Sequence, residues 1–226
     1  MSIDLVVPKE VELPTLLDEL RKLSWASADV LMAYARGSKP PYGFPKSLTV
    51  EEGGDGPVSA ADMAVNELLI SGLKDNLAFK EWDILSEETS KEKTFQQDNY
   101  KKDWCWILDP LDGTKDFLQG SENYAVHIAL AYKKKPKIGI VLIPEKNELW
   151  FGIVGIGAWF ENRDGSKNHF SFSDRLDISK LILVSSKNHQ QSKLNNLLST
   201  LCFGEIKKIG SVGCKVASIL RGDADV

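Results

Sequence analysis

Trp104-Cys105-Trp106-Ile107-Leu108-Asp109-Pro110-Leu111-Asp112-Gly113-Thr114 is the stretch on which the reading of this chain turns. Its first five residues form an apolar run of the kind that makes a buried strand. Pro110 is expected to stop that strand, and Gly113 to allow a tight turn into a helix that begins at Thr114. Asp109 and Asp112 then stand three residues apart at a strand end. Two carboxylates so placed repel one another unless cations lie between them. Acidic ligands beside the N–H groups of a helix start make a site for Mg²⁺ and a phosphate together.

The rest of the chain sets the frame for that site. With 226 residues it can bury one large core or two modest lobes. Hydrophobic residues make up 42% and charged residues 27%, the balance of an ordinary globular protein, which sets aside disordered and fibrous classes. A net charge of −4 leaves no footprint for a nucleic-acid polymer or an anionic membrane. Cys105, Cys202 and Cys214 are too few and too irregular for a disulfide framework or a zinc site, so reduced, mostly buried thiols in a cytoplasmic protein are expected. No apolar run approaches the roughly 18 residues of a membrane helix. The acidic N-terminus lacks the pattern of a secretory signal.

Periodicity predicts an amphipathic helix over 16–36, ended by Gly37 and Pro40-Pro41. A hairpin is expected around Ser47 to Val50, and a second helix from Ser59 to about Leu73. A short strand, 82–86, ends in Glu87-Glu88, and Thr89 to Asp103 reads as a loop. Strands over 124–132 and 136–143 flank a solvated tip, Lys133-Lys134-Lys135, and strands at 148–151 and 157–160 continue an antiparallel meander. Gly152, Gly155 and Gly157 have the wrong spacing for a dinucleotide loop, and a strand follows where a helix is required. The composition turns polar near Arg163 to Ser166, which places a lobe boundary there: 1–165 carries the metal and phosphate site, and 166–226 forms a partial α/β lobe. In the second lobe a strand at 181–185, a polar helix over 190–201, a strand at 205–209 and a helix over 215–220 make a βαβα pattern.

Three acidic elements stand at the edges of these segments: Asp62, Glu87-Glu88 and the Asp109/Asp112 pair. Taken alone, Asp62 reads as a helix cap and the glutamates as exposed charges. With the opening stretch, Pro57-Val58-Ser59-Ala60-Ala61-Asp62 and Leu85-Ser86-Glu87-Glu88 resemble the inositol monophosphatase-like superfamily of Mg²⁺-dependent, lithium-sensitive phosphatases. Gly210-Ser211-Val212-Gly213-Cys214-Lys215 through Asp225 is similar to that family's glycine-rich entry to a late helix. The resemblance implies a layered αβαβα sandwich of the sugar-phosphatase type, an α/β (α+β) fold. It implies Glu87, Asp109 and the Leu111 carbonyl at one Mg²⁺, with Asp109 and Asp112 at a second. Asp62 would activate water directly or through Thr114, with a third, weaker Mg²⁺ allowed there. The N–H groups of Gly113 and Thr114 would hold the phosphate.

Lys115-Asp116 after Gly-Thr, and Ser185-Ser186-Lys187-Asn188-His189, look like the 3′(2′),5′-bisphosphate nucleotidase branch. The resemblance therefore implies hydrolysis of 3′-phosphoadenosine 5′-phosphate to AMP, a step of sulfate assimilation, with His189, Ser211 and Lys215 facing the second phosphate. A capping role for His189 and a solvated one for Lys215 stay open. His127 and His169 lack motif context and read as structural. Inositol phosphate and fructose-1,6-bisphosphate are the alternative substrates. The family is monomeric or dimeric. Ser59 stands where the family usually has Thr, and Glu51-Glu52 where it often has Lys. No Trp-Asp-x-Ala-Ala segment, source of another ligand for the second Mg²⁺, follows Lys115. The expectation is an incomplete C-terminal lobe, with a catalytically impaired, binding-only fragment as the alternative.

Overall fold

Helix α1 (Leu13–Ala35) buries Leu16, Leu20, Val30 and Leu31 along one side, as its periodicity predicts. The computed structural model describes residues 7–8, 10–53, 56–76, 82–90, 102–187, 198 and 200–226. Within α1 the buried hydroxyls of Ser24 and Ser27 donate back to the carbonyls of Leu20 and Leu23, so neither is left unsatisfied. The expected hairpin forms later in the chain than the turn signals suggested. Strand β1 (Val50–Gly53) pairs antiparallel with β2 (Gly56–Ser59). Helix α2 (Ala60–Asn76) follows at once and packs beside α1.

A seven-stranded sheet forms the centre, in the order β3 (Asp83–Ser86), β4 (Trp104–Asp112), β5 (Ala125–Tyr132), β6 (Lys135–Ile143), β7 (Glu148–Ile153), β8 (Gly157–Glu161) and β9 (Lys167–Asn168). Only the β3–β4 pair is parallel; the rest is the meander read from the alternating apolar runs. The β5–β6 turn is tight, with Lys133 and Lys134 both at positive φ. The α3 turn (Glu87–Ser90) follows β3, so residues 89–90 are helical where a loop was expected; most of that loop lies outside the described residues.

Side-chain alternation gives the sheet two apolar faces. Trp106, Leu108, Val126, Ile128 and Leu130 join α1 and α2 in the main core. On the opposite face Ala125, Ile143 and Trp150 pack against Cys214 and Ala217 of helix α5 (Val212–Leu220); the short helix α4 (Thr114–Leu118) follows β4. Helix α5 also touches β10 (Ile182–Ser186) and β11 (Glu205–Ile209), a parallel pair, and so separates the two sheets. Asp225 and Val226 pair with β10 through Ile182 and Val184. Helix α5 starts one turn earlier than expected because Ser211 caps it, accepting from Cys214 N–H at 3.1 Å. The polar helix expected over 190–201 lies mostly outside the described residues.

Ion pairs fasten helices on both faces. Arg21 of α1 reaches Glu161 on β8 at 2.6 Å, and Arg221 after α5 reaches Glu148 on β7 at 2.6 Å. Burial would raise the Glu161 carboxyl, but Arg21 and Trp159 hold it below its usual range. Cys105 and Cys214 are buried thiols whose burial pushes them up to about 11, while Cys202 is exposed, and none of the three forms a disulfide. No helix among the described residues is long and apolar enough to cross a membrane. Leu69 is fully buried and Leu176 is 96% exposed. In urea unfolding, Leu69→Ala should therefore cost about 2–5 kcal/mol, and Leu176→Ala within about 0.5 kcal/mol of nothing.

Candidate functional site

The β4 strand does not stop at Pro110 as expected; it runs on to Asp112 by bulging. Its ladder with β5 pairs Asp109 with His127 and then Asp112 with Ala125. Two residues, Pro110 and Leu111, thus stand opposite Val126 alone. Proline has no N–H to give to a ladder, so the position suits an interruption. The extra residue has a geometric effect. In a regular strand, residues three apart face opposite sides; the bulge turns Asp109 and Asp112 toward the same side, beside His127.

Gly113 then takes φ +97°, and a side chain there would meet Asn123 O at 2.9 Å. This left-handed residue reverses the chain into α4, whose first residue is Thr114. Thr114 Oγ1 lies 3.0 Å from Asp62 Oδ1 and 3.1 Å from the Leu111 carbonyl oxygen. Its one proton can go to only one of them at a time. The other Asp62 oxygen accepts from Ser59 N–H at 2.8 Å and Ser59 Oγ at 2.6 Å. Ser59, whose hydroxyl accepts from Ala61 N–H at 3.2 Å, caps α2, and Asp62 in the first turn ties that cap to Thr114 rather than capping the helix itself. Burial raises its carboxyl above the usual range against the hydrogen bonds from Ser59 and Thr114.

Asp109 lies close enough to Glu87 for the two carboxyls to act on each other. Burial pushes Asp109 up to about 7; His127 opposes the rise, and Glu87 and Asp112 add to it. Asp112 behaves differently. Burial would raise it, but the His127 charge and hydrogen bonds from Ser211 Oγ, at 2.6 Å, and Gly213 N–H, at 2.9 Å, hold it below the usual carboxylate range. The donors able to hold a cation are the oxygens of Glu87, Asp109, Asp112 and Leu111. Among the described residues no three acidic, histidine or cysteine side chains already converge on one point.

The remaining sequence candidates divide. Ser211 is fully buried and committed to Asp112 and to the α5 cap, a supporting position for the carboxylate. The Lys215 ammonium turns back to the carbonyls of Gly210 and Ile209, at 3.4 and 3.5 Å. His189 lies outside the described residues. Two participants were not read from the sequence. His127 places Nε2 3.2 Å from Asp112 Oδ2 and Nδ1 3.8 Å from Asp109 Oδ2. Burial would lower its pKa, but Asp112 and Asp109 raise it. The signal for it was the antiparallel register, which sets the one polar residue of an apolar strand opposite Asp109. Asp116, on α4, is buried and pairs with Lys187 at 2.9 Å.

Comparison with known proteins adds an independent line. The inositol monophosphatase family profile matches residues 16–226. A 3′(2′),5′-bisphosphate nucleotidase CysQ of Shigella flexneri is 29% identical over 211 residues, 93% of this chain and 79% of that protein. The chloroplastic bifunctional phosphatase IMPL2 of Arabidopsis thaliana is 32% identical over 145 residues, covering 64% of this chain and 40% of that one. Among solved structures, an IMPase of Thermotoga maritima superposes with a TM-score of 0.72 at 21% identity, over 93% of this chain and 74% of its own. An IMPase/NADP phosphatase complexed with Mg²⁺ and phosphate superposes at 0.69 with 19% identity, again over 93% and 74%. These likenesses establish the α+β sandwich.

The Asp109 environment has a measurable consequence in the metal-free protein. The folded chain keeps a proton on Asp109 up to about 7 that the unfolded chain releases near 3.8. Its contribution therefore favours folding most at low pH and is lost as pH rises through 7. In EDTA, Asp109→Asn should melt above the parent at about pH 8, and the gap should close progressively until the pH falls below about 4, where the unfolded parent keeps the proton too. A parent more stable than the variant at the higher pH would show that the carboxylates do not repel as described.

Proposed function

Because the chain belongs to the inositol monophosphatase family, we propose that it is a Mg²⁺-dependent phosphomonoesterase that removes the 3′-phosphate of 3′-phosphoadenosine 5′-phosphate, releasing AMP and phosphate. The observation that carries this reading is the line from Asp62 through Thr114 to the Leu111 carbonyl, ending beside the Asp109 and Glu87 carboxyls. The substrate class is supported by nucleotidase relatives that align over 93% of the chain. It is supported too by Lys115-Asp116 directly after Gly113-Thr114.

The donor set fits Mg²⁺ chemically: every oxygen is hard, and Asp109 is pushed up to about 7 because burial, Glu87 and Asp112 outweigh the His127 charge, a balance a cation would reverse. Glu87, Asp109 and the Leu111 carbonyl would hold one ion, and Asp109 with Asp112 a second. Bound there, Mg²⁺ would neutralise phosphate charge and acidify the attacking water. Asp62, its carboxyl raised above the usual range by burial, is suited to take that water's proton through the Thr114 hydroxyl. The N–H groups of Gly113 and Thr114, at the turn into α4, would face the phosphate oxygens. Lys215 and His189 are the candidates for the second phosphate. Ser211 serves better as a support for Asp112. A lobe boundary near 165 and a cytoplasmic setting belong to the same proposal.

Phosphate release should be followed with 3′-phosphoadenosine 5′-phosphate, inositol 1-phosphate and fructose-1,6-bisphosphate in Mg²⁺. The nucleotide should give the highest kcat/KM. Asp62→Asn, which leaves the Ser59 cap of α2 in place, and Thr114→Ala should each lower kcat about 10²–10⁴-fold with little change in KM. A preference for inositol phosphate would replace the substrate assignment, and Mg²⁺ and phosphate binding without turnover would replace catalysis by binding alone.

A further inference from the structure

Helix α2 has a second face, on the side away from Asp62. Met63, Ala64, Glu67, Leu68, Ser71 and Gly72 follow one another in alternating steps of one and three residues, which makes a single stripe on an α-helix. The stripe lines two cavities, of about 360 and 400 Å³, that share Phe44 and Glu67 and so form one groove. Leu23 and Ala26 of α1 wall it at one end, and Glu51 and Val58 of the β1–β2 hairpin at the other. A side-chain carbon at position 72 would collide with Leu23, so the two helices touch there and close the floor. Along α2 the groove runs from position 60 to 72, about 18 Å or three turns. Its apolar lining is uncovered: Tyr42 is 60% exposed and Met63 50%.

The groove is also acidic. Glu19, Glu51 and Glu67 line it together with one cation, Lys22, whose ammonium is held by Glu19 at 2.6 Å. Among the described residues Glu51 and Glu67 have no ion pair. A second copy of this chain is a poor occupant, because two-fold pairing would set these carboxylates against their own like charges. We propose that the groove docks a three-turn amphipathic helix of a partner protein, apolar on its buried side and flanked there by Lys or Arg that meet Glu51 and Glu67. The small residues Ala64, Ser71 and Gly72 let such a helix come close, to an axis separation of about 8 Å, while Tyr42 and Met63 supply its apolar anchors. The flanking charges select the partner more than they add to its affinity. This surface is distinct from the acidic site; the two meet at Ser59, which closes one end of the groove and donates its hydroxyl to Asp62.

The probe is a synthetic helix of about 14 residues, with leucines along one side and lysines flanking them. The full chain, carrying carbon-13 on its methionine methyls, is titrated with it and followed by nuclear magnetic resonance. The Met63 methyl should shift saturably while that of Met32, which packs against Tyr124 instead, stays in place. The same helix with glutamates for lysines should not bind. Glu51→Lys combined with Glu67→Lys should weaken the lysine helix at least about tenfold. Both glutamates are exposed, so that variant should melt like the parent, and the methyl shift is in any case read on the parent chain. A Met63 methyl that the lysine helix does not move, or that the glutamate helix moves equally, overturns the proposal. So does unchanged binding by the doubly substituted chain. A dimer seen in sedimentation and dissolved by Met63→Lys overturns it as well, giving the groove to a second copy. Phosphate release is measured separately, and its failure leaves the docking result standing.

Discussion

One extra residue in β4 decides what the molecule can do. Without it, Asp109 and Asp112 would point to opposite faces of the sheet, one into the α1–α2 core and one toward α5. A lone ionised carboxylate in that core is costly enough that it would stay protonated or the strand would shift. With the bulge, both side chains face the layer occupied by α5, where His127, Ser211 and Gly213 can meet them. Proline at 110 makes the interruption cheap, because it forfeits a ladder bond it could never have made. The glycine that follows the second aspartate completes the manoeuvre by turning the chain back under Asp62.

Much of this was legible in the sequence, and for identifiable reasons. The meander followed from the alternating runs over 124–132, 136–143 and 148–160, because each strand has one face in each apolar layer. Helix α1 followed from its leucines. Asp109 and Asp112 stood out as two carboxylates at a strand end, where burial without cations is unfavourable, whereas Asp62 and Glu87 joined them only through the resemblance to the family. What escaped depends on partners distant in sequence. His127 looks like an isolated polar residue in an apolar strand until the register sets it opposite Asp109. Ser211 looks like a substrate contact until its hydroxyl is seen to serve the α5 cap and Asp112 at once. Pro110 reads as a terminator because local rules say so; tertiary pairing absorbed it as a bulge.

Helix α5 is the other organising part. It is short, and it covers the second face of the sheet with small residues, Gly213, Cys214 and Ala217, which let its axis come close. Its first turn delivers a hydroxyl and an N–H to Asp112, and the residue after it grips Glu148. The packing that joins the two sheets and the electrostatics that hold Asp112 ionised are therefore the same contacts. A sequence change that loosened α5 would alter the charge state of Asp112 without touching it.

The buried Asp116 carries a mechanical implication. It lies on α4, two residues past Thr114, and its carboxylate holds Lys187 at the end of β10, which also reaches Gln119 at 2.8 Å. The turn that presents Gly113 and Thr114 is thereby tied by a charged strut to the small parallel sheet on the far side of α5. A shift of β10 would pull on α4 as a lever pulls on a hinge, tilting Thr114 relative to Asp62. The two sheets, which belong to different stretches of sequence, are geared together beside the contact between Thr114 and Asp62.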